Sequence, residues 1–357
     1  MTFYITHNGC EPTLFDASRI KQVLTKEGFI CSSEEQAHII IFLCCTFTIQ
    51  KENETNELIL RYKNQHKTII VTGCFLQKEN LSGKVKYIKL KNLLPFLTHN
   101  EKIENMRDVK IPLVKISEGC TGKCSFCSIK NVKGKHCSIV PREIMQQIEF
   151  LYENYNEIKL VGQDIAAYGT DIGISLYSLL ADILTTFPTI KIELGSLNPR
   201  QLKEFKKKEL EILASERIIG NILIPVQSAS NRILKQMQRE YTIEDFQNLY
   251  NTLHNWGIRN ISTDIIAGFP NETEEDHLLN LKFLSDKYFS FAEIFMYETR
   301  PNTLASKMEQ IPLDIRKKRT SELIVQHINT YSKYNNTEFE YLIENEQIFN
   351  TNMVFKQ

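Results

Sequence analysis

Cys120, Cys124 and Cys127 fall within eight residues in the pattern Cys-x3-Cys-x2-Cys. Three thiolates at these offsets, with Gly119 and Gly122 giving the loop freedom, suit three irons of a four-iron cubane and leave the fourth iron open to a substrate or cofactor. A Cys-x-x-Cys pair also suits tetrahedral zinc, with His136 or Cys137 completing the set. Position favours iron, because the loop follows a barrel strand where catalytic groups sit, whereas zinc knuckles organise small folds with weak cores. A fourth thiolate from Cys137 would block the open iron, so Cys137 is not expected to ligate.

Three further thiols, Cys10, Cys45 and Cys74, are far apart in the chain, but each follows a segment that reads as a strand. In a parallel sheet, loops at the carboxyl ends of the strands lie on one edge, which would bring the three together. Three unrelated buried cysteines would fit the same positions, since free cysteine is among the most buried residue types. Cys31 has no motif partner and is expected to pack near a strand start.

The elements needed to position these thiols can be read from the periodicity. Residues 2–6 alternate like a strand, 16–29 have apolar residues at helical spacing up to Gly28, and 39–43 is a continuous apolar run. A polar helix to about residue 64 and a strand at 68–71 complete a doubly wound unit. Residues 75–108 are charged and poorly periodic and read as a linker. Six further strands are expected at 111–116, 157–161, 189–194, 222–226, 260–266 and 291–296, with helices at 141–153, 175–186, 243–255 and 273–287. Pro141, Ser175, Thr242 and Thr273 stand at the helix starts. The fold class is α/β: an N-terminal doubly wound parallel-sheet domain over residues 1–105, a partial (β/α)6 barrel over 106–330, and a short hairpin-like remnant over 331–357.

Composition narrows the function classes. The 357 residues carry 43 basic and 43 acidic side chains, so no global positive field marks a nucleic-acid binder. Hydrophobic residues at 42% and charged residues at 24% exclude disorder and collagen. The longest apolar run, residues 39–45, is far short of a bilayer span, and the N-terminus lacks a signal pattern, so a cytoplasmic protein without membrane contact is expected. In a reducing compartment nine cysteines point to metal or catalysis rather than disulfides.

At the cysteine triplet the chain resembles the radical S-adenosylmethionine (SAM) superfamily. Further motifs resemble the methylthiotransferases within it: Val161-Gly162-Gln163-Asp164 with Tyr168-Gly169, Pro225-Val226-Gln227-Ser228, Met237-Gln238-Arg239, the run from Asp264 through Gly268 to Thr273, and Arg300-Pro301-Asn302-Thr303. Asn8-Gly9-Cys10 and Thr72-Gly73-Cys74 match the N-terminal domain of that family, and the likeness covers roughly residues 1–330. The resemblance implies two 4Fe-4S clusters. The one on Cys120, Cys124 and Cys127 would bind SAM and reduce it to a 5'-deoxyadenosyl radical that abstracts an unactivated hydrogen. The other, on Cys10, Cys45 and Cys74, would hold the sulfur that a second SAM methylates. It further implies SAM contacts at Phe126, Gln163, Ser196, Gln227 and Arg239, with the turn from Gly268 to Thr273 near adenine, and an electron donor such as a flavodoxin or ferredoxin together with a sulfur source.

Departures from the family pattern bear on the substrate. Leu43-Cys44-Cys45 replaces the usual Asn-Thr-Cys, with Cys45 favoured over Cys44 as the ligand because Thr46-Phe47-Thr48 continues the motif. Lys130, Lys133-Gly134 and Glu193 replace residues expected near the substrate entrance. After Tyr334 only Lys356 stands against Glu338, Glu340, Glu344 and Glu346, where tailed members of the family it resembles carry a β-barrel that helps recruit tRNA or a ribosomal protein. The basic clusters at 206–208 and 316–319 read as solvated helix faces. These features favour a peptide or protein substrate, with a tRNA adenosine as the alternative and a non-catalytic iron-sulfur redox sensor as a reading of another class.

Overall fold

The structure, a computed structural model, describes residues 1–45, 48–62, 65, 67–75, 85–98 and 111–335. Five parallel strands form the first sheet: β1 (Thr2–His7), β2 (Ile30–Cys31), β3 (Ile39–Cys44), β4 (Thr68–Gly73) and β5 (Val85–Tyr87), in the order β2-β1-β3-β4-β5. The apolar run of β3 serves two cores by alternation. Ile39, Ile41 and Leu43 pack with α1 (Glu11–Lys26) and α3 (Leu90–Thr98), while Ile40, Phe42 and Cys44 pack with α2 (Ile49–Tyr62) on the other face.

The linker expected at 75–108 is therefore shorter than the charge pattern suggested. Leu90, Leu93, Leu94 and Leu97 repeat at helical spacing and seal one face of the sheet, and the surrounding lysines conceal that stripe in the sequence. Cys31 lies in the two-residue edge strand β2 and is exposed, contrary to the expectation that it packs.

The second unit begins with β6 (Leu113–Lys115) and a small antiparallel ladder of β7 (Ser117–Glu118) with β8 (Cys137–Ser138), which brackets α4 (Ile129–Lys133). Next come α5 (Pro141–Tyr152), β9 (Glu157–Val161), α6 (Leu176–Thr186), β10 (Lys191–Leu194), α7 (Pro199–Leu202), α8 (Lys207–Leu210), β11 (Ile218–Ile219) and β12 (Ile222–Leu223). The chain continues through α9 (Asn231–Gln236), α10 (Ile243–Asn255), β13 (Ile261–Ala267), α11 (Glu274–Asp286), β14 (Phe291–Met296) and α12 (Leu313–Asn335). Parallel sheets β11-β10-β9-β6 and β12-β13-β14 form the open barrel. The strand expected at 222–226 is split: around Gly220 (φ 73°) the pairing passes from β10 to β13, and the ladder resumes only at the bridge between Gln227 and Ile265.

Ser175, Thr242 and Thr273 each close a capping box, and Pro141 opens α5, as their positions predict. Helix α12 runs through the boundary expected at residue 330, packing on α11 and β14 with Arg319, Leu323, His327 and Thr330 buried. The two short strands expected in the tail lie outside the described residues. No helix among the described residues is long and apolar enough to cross a membrane.

Candidate active site

The triplet loop is gripped from several sides. The β7–β8 ladder ties its base, and at Gly119 (φ 74°) an added Cβ would come within 2.3 Å of the Lys135 carbonyl oxygen, so only glycine fits. Ser125 N–H donates to the Met237 carbonyl at 3.0 Å, and Ala305 N–H donates to the Ser125 carbonyl at 2.8 Å. Gln163 Oε1 accepts from Gly119 N–H at 2.9 Å, so this residue orients the loop as well as lining the cavity.

The cavity, about 710 Å³, lies at the carboxyl ends of the barrel strands. Cys120, Cys124 and Cys127 line it, and so do all five residues expected near SAM: Phe126, Gln163, Ser196, Gln227 and Arg239. Phe126 packs edge-on against Phe269 with centroids 6.3 Å apart. Gln227 has a left-handed backbone (φ 66°), held by Gln227 N–H to the Asp264 carbonyl and Ile266 N–H to the Gln227 carbonyl. Arg239 Nη1 donates to Cys124 Sγ at 3.2 Å. In the turn after β13, Gly268 N–H donates to Glu272 Oε1 at 3.1 Å and Glu272 pairs with Arg319 at 3.0 Å.

The donor set fits an iron-sulfur cluster and a polar cosubstrate. Burial pushes the thiols of Cys120 and Cys127 up, to about 12 and about 11, with Asp164 adding to the effect at Cys120. They would stay protonated until a metal takes the proton's place. Among the described residues no three His, Cys, Asp or Glu side chains close on a single metal ion, and thiolates that each bind a different iron of a cubane need not do so. Asp164 Oδ1 and Arg239 Nε, on two cavity residues, are buried with no hydrogen-bond partner among the described residues. Asp164 and Asp264, both lining the cavity, were missed as site residues although both lie inside the quoted motifs.

The three separated thiols converge at the carboxyl edge of the first sheet. Cys10 caps α1, Asn8 Oδ1 accepts from Cys45 N–H at 2.8 Å, and Cys74 N–H donates to the Cys44 carbonyl at 2.9 Å. Gly73 (φ 91°) is obligatory, since a Cβ there would meet the Cys44 carbonyl oxygen at 2.8 Å. Burial pushes the Cys74 thiol up to about 12, with Lys133 opposing and neighbouring Cys45 and Cys10 adding to it. Cys44 is buried in the α2 core, its Sγ donating to the Thr72 carbonyl at 3.2 Å and approaching the Cys74 carbonyl at 3.6 Å. Thr46 and Phe47 lie outside the described residues, but Thr48 and Gln50 reach the cavity.

Helix α1 also joins the two units, through Asp16 to Lys115 at 3.0 Å and Glu11 to Lys159 at 2.6 Å. Two residues expected at the substrate entrance belong to this junction: Glu193 pairs with Lys159 at 2.7 Å, and Lys133 is buried against Asp16 and Glu118. Spacing alone could not show which way they face. The cluster at 316–319 is likewise more than a solvated face, because Arg319 is buried and Arg316 Nη1 donates to the Tyr297 carbonyl at 2.6 Å. Cys137 is exposed.

The radical SAM superfamily profile matches residues 114–284, and that of an uncharacterized family, UPF0004, matches residues 2–91. A threonylcarbamoyladenosine tRNA methylthiotransferase of Aquifex aeolicus is 31% identical over 87% of this chain and 84% of its own. A tRNA-2-methylthio-N(6)-dimethylallyladenosine synthase of Carboxydothermus hydrogenoformans is 32% identical over 90% and 82%. In structure, the radical SAM methyltransferase TsrM of Kitasatospora setae superposes with a TM-score of 0.57 at 12% identity, covering 85% of this chain and 77% of that one.

An open parallel barrel with this cysteine loop over its cavity is that of a radical SAM enzyme. Within that class the chain belongs to the methylthiotransferase family, which transfers sulfur and methyl groups using SAM and 4Fe-4S clusters. Family membership sets aside the redox-sensor alternative. The relatives are named for tRNA, not for the peptide or protein favoured from the tail.

Proposed function

We propose that this enzyme adds a methylthio group to a tRNA adenosine that already carries a substituent on N6. The observation that carries the reading is one cavity lined both by the cysteine triplet and by Thr48 and Gln50, just beyond Cys45, so both units contribute to its wall. The names of the relatives, matched over 84% and 82% of their own length, support RNA over peptide. A net charge of zero does not oppose it, because phosphate contacts need only a local patch.

In this reading Cys120, Cys124 and Cys127 hold one 4Fe-4S cluster and Cys10, Cys45 and Cys74 hold the other. Bound SAM supplies the hydrogen-abstracting radical and the methyl group. Phe126, Ser196, Gln227 and Arg239 shape the SAM site, Gln163 fixes the loop, and Asp164 offers an unpartnered acceptor. The apolar wall made with Ile266, Ile294 and Phe295 keeps water from reactive species. Electrons come from a flavodoxin or ferredoxin, the sulfur from a separate source, and the protein works in the cytoplasm.

The test is anaerobic turnover of the reconstituted enzyme with SAM, dithionite and bulk tRNA from cells lacking methylthiotransferases. Nucleoside mass spectrometry is expected to show a methylthio increment on an N6-modified adenosine. An increment found only in digests of added cell protein would instead establish the peptide reading.

A further inference from the structure

Helix α2 starts at the wall of the cavity, between the two units. Thr48 Oγ1 accepts from Lys51 N–H at 3.3 Å and so caps the helix from within. The first helical N–H, that of Ile49, turns instead to the barrel and donates to Glu298 Oε2 at 2.8 Å. Glu298 lies two residues beyond β14, an edge strand of its sheet. The same carboxylate oxygen accepts from Arg300 Nη2 at 2.6 Å, and Arg300 Nη1 stands 3.5 Å from Glu52 Oε2 in the first turn of α2. The Arg300 side chain is 6% exposed, so water and salt screen this pairing little.

The segment held in this way is the one that follows Cys45. From its own unit Asn8 grips it twice, since Asn8 Oδ1 accepts from Cys45 N–H at 2.8 Å and Asn8 Nδ2 donates to the Lys51 carbonyl at 2.9 Å. From the barrel, Glu298 grips it at Ile49. Thr48, Gln50, Glu298 and Arg300 line the same cavity as the cysteine triplet. The ties from Asp16 to Lys115 and from Glu11 to Lys159 run through α1 to β6 and β9. They locate α1 on the barrel, whereas the contact at Glu298 locates the start of α2.

We propose that Glu298 is a positioning residue for methylthio transfer: by holding Ile49 N–H it sets how the segment after Cys45 sits against the cavity of the triplet. The inference rests on the proposed function, with a cluster on each triad. SAM cleavage requires the triplet side, whereas transfer requires both units in alignment. Misplacing reacting groups by about 1 Å can cost about 100-fold in rate. Loss of the Glu298 contact therefore separates the two events instead of slowing both.

The test is anaerobic turnover of the reconstituted full chain with SAM, dithionite and bulk tRNA from cells lacking methylthiotransferases, with 5'-deoxyadenosine and methylthio nucleoside measured in the same reaction. Glu298→Ala is expected to cleave SAM within about twofold of the parent rate, yet to form roughly 10-fold less methylthio nucleoside per 5'-deoxyadenosine. Ile49→Pro removes the same hydrogen bond from the other side, at a first helical position where proline fits and from a side chain 45% exposed, and is expected to give the same ratio. The double variant falls no further than either single one. Glu298→Gln, which keeps an acceptor for Ile49 N–H, stays nearer the parent. A joint fall of both products at an unchanged ratio marks a merely structural role and overturns the proposal, as do losses that multiply in the double variant. If Glu298→Ala does not fold, Ile49→Pro decides alone, and a parental ratio in it overturns the proposal. A parent that cleaves SAM but yields no methylthio nucleoside refutes the proposed function and the inference with it. A productive parent with unaffected variants refutes the inference alone.

Discussion

Arg239 Nη1 lies 3.2 Å from Cys124 Sγ, with the guanidinium between the rings of Phe126 and Tyr241, whose centroids are 5.8 and 5.6 Å away. One side chain thus joins a thiol of the triplet to Phe126 in the cavity lining. A charge-assisted hydrogen bond of this kind contributes about 1.5–3 kcal/mol. Arg239→Met is expected to lower the rate of 5'-deoxyadenosine formation roughly 10- to 100-fold. Arg239→Lys recovers only part, since an ammonium does not reproduce the planar fork. Product release from SAM under dithionite measures both, and a full rate in Arg239→Met would remove the role.

Cys44 and Cys45 are neighbours with different surroundings. Cys44 is 1% exposed in the core under α2, whereas Cys45 lies in the loop whose backbone Asn8 holds. Cys45→Ala is expected to reduce iron from about eight to about four atoms per chain, and Cys44→Ala to leave it near eight. Iron and sulfide analysis of anaerobically purified variants distinguishes the two, and the reverse pattern would make Cys44 the ligand.

The buried pair between Asp16 and Lys115 joins α1 to the strand that leads into the triplet. Asp16→Asn leaves a buried ammonium without its main partner and is expected to cost about 3 kcal/mol. Asp16→Asn with Lys115→Met is expected to cost less than the single change, because no cation is then stranded. Urea denaturation measures both, and strictly additive losses would show that the pair is not coupled.

His327 accepts a hydrogen bond from Ala292 N–H at 3.0 Å, and burial lowers its pKa from 6.5 to about 4. The folded state therefore refuses a proton that the unfolded chain takes up. Stability from this residue is full above the unfolded pKa and is lost as pH falls from 6.5 towards 4. About 2 kcal/mol should go between pH 7 and pH 5. His327→Gln, which keeps an acceptor but does not titrate, is expected to flatten that dependence, and an equally steep slope in the variant would rule His327 out as its source.

Much of this molecule was decided by its sequence alone. The apolar runs alternate along β3 because both faces of a parallel strand must be covered, and Ser175, Thr242 and Thr273 open helices because they satisfy local backbone donors. The triplet and the motifs beyond it depend on short spacings, so residue type and order carry them. What depends on direction needed the tertiary structure. Lys133 and Glu193 face the junction rather than an entrance, Cys31 is exposed on an edge strand, and Arg239 reaches a thiol. Each is a contact between residues far apart in the chain, set by how the two units pack. The helical leucines of α3 fall between these cases, because their period was present but was concealed by the charges around it.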